Sequence, residues 1–233
     1  LLFRIVRNAA SSADMGGNMV GSSFEHPATR SAANYWAAQT KRQYINVQHD
    51  DTLGHVTAEH YSNIITPDTR VVTILHASPV TGISVDLKKI SEAIRSISPE
   101  ALIIVDGVQY AAHGGIKIDD YDIDGYAISP YKMYSRHGYG FAWVSDRLTQ
   151  MQHEQLLDGP SENGELGTRD TGSYATISDV VEYLEWLGEK VESTNNRTKK
   201  LNNAAKAIAA QETSLTELMI NGEDNIKGLK DLE

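Results

Sequence analysis

The chain contains no cysteine. Within these 233 residues that removes disulfide bonds, thiolate zinc sites and any thiol nucleophile. The absence fits a reducing cytoplasm, the expected location. Long apolar runs are also missing. The longest clean ones, such as Ala101 to Val105, are five residues, against about 20 for a membrane-spanning helix, so no membrane segment is expected. Positive charge is in deficit: Lys and Arg total 21 against 31 Asp and Glu, a formal charge of −10. That balance excludes the broad basic stripe a nucleic-acid-binding surface needs. No repeat, Walker loop, Gly-x-Ser-x-Gly elbow or dinucleotide fingerprint occurs. The first residues, Leu1-Leu2-Phe3-Arg4-Ile5-Val6-Arg7, carry neither an initiator Met nor a signal-peptide pattern. The last residues still follow helical spacing, so the chain reads as a fragment cut at both ends.

What is present is ordinary globular material, 40% hydrophobic and 22% charged, and its centre alternates strands with helices. Val71 to Leu75 is β-branched and continuous, the pattern of a buried strand. After the turn Ser78-Pro79-Val80-Thr81-Gly82, Leu87, Ile90, Ile94 and Ile97 share one helical face, with Asp86 as cap and Pro99 beyond the end. Leu102 to Val105 is a second buried strand, so the unit is a parallel strand–helix–strand crossover. Gly125 to Ser129 and Gly140 to Val144 are further strand candidates. Met19 to Ser23 and Tyr44 to Val47 are earlier ones, separated by a helix over Ala28 to Gln39. The expected fold class is α/β, a mainly parallel sheet covered by helices on both faces. Near Ile177 the character changes. Val180, Val181, Leu184 and Leu187 are helically spaced, and a long polar helical run is expected over Glu189 to Leu218. The division expected is a large domain over 1–190, then a connecting helix and the start of a smaller domain over 191–233. Trp36, Trp143 and Trp186 read as core or interface residues. His49, His55 and His60 match no metal-ligand spacing and read as loop residues.

Ligands of open α/β sheets bind beyond the carboxyl ends of the strands. Asp106 directly follows four apolar residues, and Lys132 lies three residues after the strand ending at Ser129. Taken singly, Asp106 could cap a turn and Lys132 could be a solvated surface lysine. Together, an amine and a carboxylate at one sheet rim suit pyridoxal phosphate. The lysine forms a Schiff base with its aldehyde, and the carboxylate keeps the ring nitrogen protonated so that the ring accepts electrons. A lysine amine kept out of water is the nucleophile this requires.

Five segments then resemble the class V aminotransferase family of pyridoxal-phosphate enzymes, which includes cysteine desulfurases, selenocysteine lyases and isopenicillin N epimerase. They are Phe24-Glu25-His26-Pro27-Ala28, Val105-Asp106-Gly107-Val108-Gln109, Asp124 to Lys132, Gly138-Tyr139-Gly140 and Gly164-Glu165-Leu166-Gly167-Thr168-Arg169-Asp170. They stand in the family's order, and the resemblance covers most of residues 20 to 190. It implies a three-layer α/β/α large domain of fold type I and a homodimer acting on an amino acid as a transferase or a lyase. It also implies roles. Lys132 is the Schiff-base lysine and shuttles the Cα proton, and Asp106 pairs with the pyridinium nitrogen. Gln109 bonds the ring's phenolic oxygen, and His26 stacks on the ring. Ser129 binds the phosphate, and Thr168 reaches a phosphate in the partner subunit.

The departures are also specific. Tyr131 replaces the usual His before the lysine; its phenol could still donate to phosphate. Ser78-Pro79 replaces Ser-Asn, and Ser135-Arg136 replaces a Gly-Pro stretch. Arg136 reads either as a clamp for a substrate carboxylate or phosphate, or as a surface salt bridge. His113 matches a family histidine and reads as structural. The family's Gly-Thr-Thr-like phosphate loop is expected before residue 1. Its carboxylate-binding arginine, and in desulfurases the sulfur-accepting cysteine, are expected after residue 233. The rival reading is a non-catalytic scaffold or binding subunit that keeps the fold.

Overall fold

Six short runs pair into one sheet: β1 (Asn18–Ser22), β2 (Gln43–Val47), β3 (Thr69–Leu75), β4 (Leu102–Asp106), β5 (Gly125–Ile128) and β6 (Phe141–Val144). The order is β2-β1-β3-β4-β5-β6. The first five strands are parallel, and β6 returns antiparallel beside β5. The computed structural model describes residues 1–12, 16–151, 153–159, 166–167, 170–224 and 226–232.

Strand β4 is apolar up to Asp106, and β3 is apolar except for Thr69, Arg70 and Thr73, because both of their faces are covered. Along β4, Leu102 and Ile104 enter one core with Ile5, Val6, Met19 and Ala32, while Ile103 and Val105 enter another with Tyr61, Leu87, Ile90 and Ile94. The first core is roofed by α1 (Leu2–Ser12) and α2 (Pro27–Gln39), the second by α3 (Ala58–Ser62) and α4 (Leu87–Ile97). This is the three-layer arrangement. Helix α4 begins where Asp86 accepts from the Lys89 amide at 3.1 Å and ends at Ser98, before Pro99. Helix α1 was not apparent in the sequence. No capping residue precedes it, and its apolar face is small, with Ile5, Val6, Ala9 and Ala10 buried.

The polar run over Glu189 to Leu218 is not one helix. After the short α5 (Asp146–Thr149), a turn at 192–196 splits the run into α6 (Thr171–Val191) and α7 (Arg197–Asn221). Glu189 accepts from the Ser193 hydroxyl at 2.8 Å, and Asn196 caps α7 by accepting from the Lys199 amide at 2.8 Å. Short polar side chains of this kind compete with the helical ladder for backbone groups. The two helices pack on each other, and a β-carbon on Gly188 would overlap the Lys200 carbonyl. Of the three tryptophans, Trp36 is half-buried while Trp143 and Trp186 are exposed rather than in a core.

The winding reverses between β1 and β3. Helix α2 leaves β1 over one face, and α4 leaves β3 over the other. The carboxyl ends of these two strands therefore frame the crevice where α/β sheets hold ligands.

Candidate active site

Asp106 ends β4 and is buried. Its Oδ2 accepts from the Thr29 hydroxyl at 2.8 Å and its Oδ1 from the Val108 amide at 3.1 Å. Among the described residues no cation meets it. A carboxylate out of water with two neutral donors is undercompensated, and a cationic ring N–H is the kind of group it suits. The Gly107 turn that presents it is set by packing. A β-carbon at Gly107 would overlap the Tyr126 ring, and the Gly107 amide donates to the Ala127 carbonyl at 2.9 Å.

His26 is the N-cap of α2, held by Pro27 at the first helical position. The ring is exposed, and its Nδ1 accepts from the Ala28 amide at 3.1 Å, which makes the neutral ring the Nε2–H tautomer and leaves Nε2 without a partner among the described residues. Three residues on, in the first turn of the same helix, Thr29 reaches Asp106. The histidine and the aspartate are thus coupled through one turn of helix.

Lys132 closes the 3-10 turn Pro130–Lys132 after β5, with its amide donating to the Ser129 carbonyl at 3.0 Å. Strand β5 lies beside β4 in register, Asp106 opposite Ala127, so both residues leave the same edge of the sheet on neighbouring strands. The Lys132 amine is half-buried, lies 5.7 Å from the centre of the Tyr131 ring, and makes no hydrogen bond or ion pair among the described residues. Tyr131 is exposed and stacks on His137 at 4.0 Å. Ser129 and Gln109 sit half-buried at the same rim with side chains that make no hydrogen bond among the described residues. An uncompensated carboxylate, an unpaired amine, an amide and a hydroxyl at one edge fit the donor set that pyridoxal phosphate requires.

Other residues fall elsewhere. Arg136 pairs with Asp170 at 3.6 Å, both exposed, which is the surface-salt-bridge alternative. Thr168 lies outside the described residues. His113 bonds Glu212 of α7 at 2.7 Å. His49, His55 and His60 each serve local bonds, to Ser23, Leu53 and Thr57. A groove of about 960 Å³ runs between the rim loops and α7, lined by Ser78, Tyr110, His113, Lys206 and Glu212. It touches the expected site at Gln109 and at none of the other expected residues.

Sequence reading missed a layer beneath the rim. His76, the residue after β3, is buried, stacks on Tyr110 at 3.5 Å and bonds the Tyr126 hydroxyl at 2.8 Å. Burial pushes its imidazole down to about 4, so the ring is neutral. Its amide donates to the Asp106 carbonyl at 3.0 Å, which braces the aspartate's strand end. The signal was the one that marked Asp106, a polar residue directly after a buried apolar run. Thr29 carried a fainter signal, three residues after a helix-capping histidine and so on the same side of the first turn.

Taken by its fold, a mainly parallel sheet between helical layers with chemistry at the strands' carboxyl ends, the chain is an α/β domain of the fold-type-I class. A family model for aminotransferase class-V matches residues 2–221, and the chain belongs to that family. It is 30% identical over 123 residues to a probable cysteine desulfurase of Mycoplasma pneumoniae, covering 53% of this chain and 30% of that protein. It is 24% identical over 209 residues to the cysteine desulfurase IscS of Clostridium botulinum, covering 89% and 50%. The fold matches the cysteine desulfurase CsdA from Escherichia coli with a TM-score of 0.72 at 22% identity, over 95% of this chain and 57% of that one. The chain spans half or less of the length of these two curated relatives.

Proposed function

We propose that the protein is a pyridoxal-phosphate-dependent enzyme acting on an amino acid, as a transferase or carbon–sulfur lyase, with Lys132 as the residue that carries the cofactor. The observation that supports it most is that one sheet edge carries a buried carboxylate, Asp106, and an amine, Lys132, that meet no opposite charge among the described residues. Pyridoxal phosphate, when bound, supplies an electron sink for negative charge developing at the substrate Cα.

The chain's own residues divide the remaining work. Asp106 holds a proton at the ring nitrogen, and it does so preorganised, since Thr29 and the Val108 amide fix both oxygens. The Lys132 amine attaches the cofactor and moves the proton at the substrate Cα. The Gln109 amide donates to the phenolic oxygen, and His26 covers the ring from the start of α2. Ser129, with Tyr131 and Thr168, holds the phosphate. Thr168 does so across a homodimer, and Arg136 is a candidate for a substrate carboxylate once freed from Asp170. Residues 1–190 form the cofactor-binding unit and 191–233 lead into a smaller one, in a cytoplasmic enzyme.

Titration of the full-length protein with pyridoxal phosphate tests this reading. The expected result is an absorbance band near the visible edge that shifts when the right amino acid is added. A band that forms and responds to no amino acid supports the scaffold reading, and no band at all contradicts the cofactor.

A further inference from the structure

Glu25 is almost fully buried, 4% exposed, in the turn between β1 and α2. Its Oε2 accepts from the Thr73 hydroxyl of β3 at 2.9 Å, while its Oε1 is buried with no hydrogen bond among the described residues. The bond to Thr73 spans the β1–β3 crevice at the reversal of winding. Around it the structure is built rather than incidental. A β-carbon on Gly21 would stand 2.7 Å from Thr73 Oγ1, 2.7 Å from the Tyr44 hydroxyl and 3.2 Å from Glu25 Oε2, so a glycine makes room for three converging oxygens. The Tyr44 hydroxyl is also buried without a hydrogen bond among the described residues, and Tyr61 donates to the Thr73 carbonyl at 3.1 Å.

We infer that Glu25 is a positioning residue, a neutral carboxylic acid that locks the β1–α2 turn onto β3 and thereby sets His26 and the Thr29 hydroxyl that meets Asp106. The part of this that concerns the cofactor rests on the proposed function; the buried neutral acid does not. A hydroxyl and a weaker backbone contact, from Thr73 and Ser22, cannot sustain a carboxylate in a dry site. Burial first, and the nearby charge of Asp106 with it, pushes the Glu25 carboxyl up to about 8, against the opposing pull of Thr73, the Ser22 backbone and Arg30. The groups facing it are Thr73 from β3, Tyr44 from β2, Tyr61 from α3, Arg30 from α2 and Asp106 from β4. Both phenols are themselves pushed up by burial, so neither titrates before Glu25. Glu25 is thus held as the neutral acid behind the turn that carries His26 and Thr29.

The sign of the pH effect follows. With its carboxyl raised from 4.5 to about 8 in the folded state, Glu25 contributes stability that is fully present below about pH 4.5. That contribution is lost as pH rises, by about tenfold in the folding constant per pH unit, and it levels off above about 8.

The test uses the full-length protein in two arms. In the first, unfolding of the cofactor-free protein is followed from pH 5 to 9 for wild type and Glu25→Gln. The ratio of their folding constants should fall by a hundredfold or more between pH 5 and 8; equal pH slopes overturn the neutral acid. In the second, pyridoxal phosphate affinity is measured at pH 7 on variants shown by circular dichroism to be folded. Glu25→Gln, whose amide oxygen can still accept from Thr73, should bind within about threefold of wild type. Glu25→Ala and Thr73→Val should bind at least tenfold more weakly. Wild-type affinity in both overturns the positioning role. A wild-type protein that binds no pyridoxal phosphate while the pH slopes differ overturns the proposed function and upholds the buried neutral acid.

Discussion

Asp106 and Asp124 are equally buried, 3% exposed each, at opposite ends of neighbouring strands. Asp124, just before β5, is fully compensated. Arg95 meets its Oδ2 at 2.7 Å, Arg147 meets Oδ1 at 3.1 Å and Oδ2 at 3.2 Å, and the Ile103 amide and Ser145 hydroxyl add bonds of 2.9 and 3.1 Å. Asp106, closing β4, has one hydroxyl and one amide. The same side chain therefore does two jobs. At the amino edge it ties α4, β4 and the segment after β6 together, its one negative charge shared by two guanidinium groups. At the carboxyl edge no cation meets it among the described residues, and Lys132, which meets no anion among them, stands on the next strand's exit.

The comparison can be broken most forcefully at Asp124. Asp124→Asn removes the buried anion that two guanidinium groups share, leaving Arg95 the exposed Asp122 and Arg147 the exposed Glu100, and should cost about 3–5 kcal/mol of stability, read by denaturant unfolding. Cofactor affinity at low temperature should stay unchanged; a stable variant would mean the network is decorative. Asp106→Asn should do the reverse. Turnover by the full-length protein should fall by about a hundred- to a thousandfold, with the unfolding midpoint nearly unmoved, and near-normal turnover would remove the aspartate from the chemistry. Thr29→Val sharpens the contrast at smaller scale. A hydrogen bond to a charged group is worth about 1.5–3 kcal/mol, so cofactor affinity should drop about tenfold while the Asp124 network is untouched. Gly188→Ala is the control far from both aspartates. Its β-carbon would press on Lys200, costing about 1–3 kcal/mol of stability with cofactor affinity retained.

Much of this architecture was legible in the sequence because its strands are buried on both faces. Val71 to Leu75 and Leu102 to Val105 could be read as continuous runs, and the residue that ends each run, His76 or Asp106, is where polarity becomes costly. Only Asp106 was singled out, since a histidine after a strand has no partner visible in one dimension. Tyr110 and Tyr126, which stack on it and bond it, lie 34 and 50 residues away. Glu25 stands in a family motif, yet a glutamate in sequence argues for the surface, and its burial depends on Thr73 and on the space at Gly21. Helix α1 escaped because alanines supply half of its buried face. The split between α6 and α7 escaped because helical spacing persists on both sides of a polar turn, and only side-chain competition at Ser193 to Asn196 marks the break.

The pairing of Asp106 with Lys132 is tested most directly by trapping. Full-length protein loaded with pyridoxal phosphate is reduced with borohydride, digested and mapped by mass spectrometry. The account predicts one pyridoxyl adduct, on Lys132, lost in Lys132→Ala and kept in Asp124→Asn. An adduct on a different lysine, or none, contradicts it.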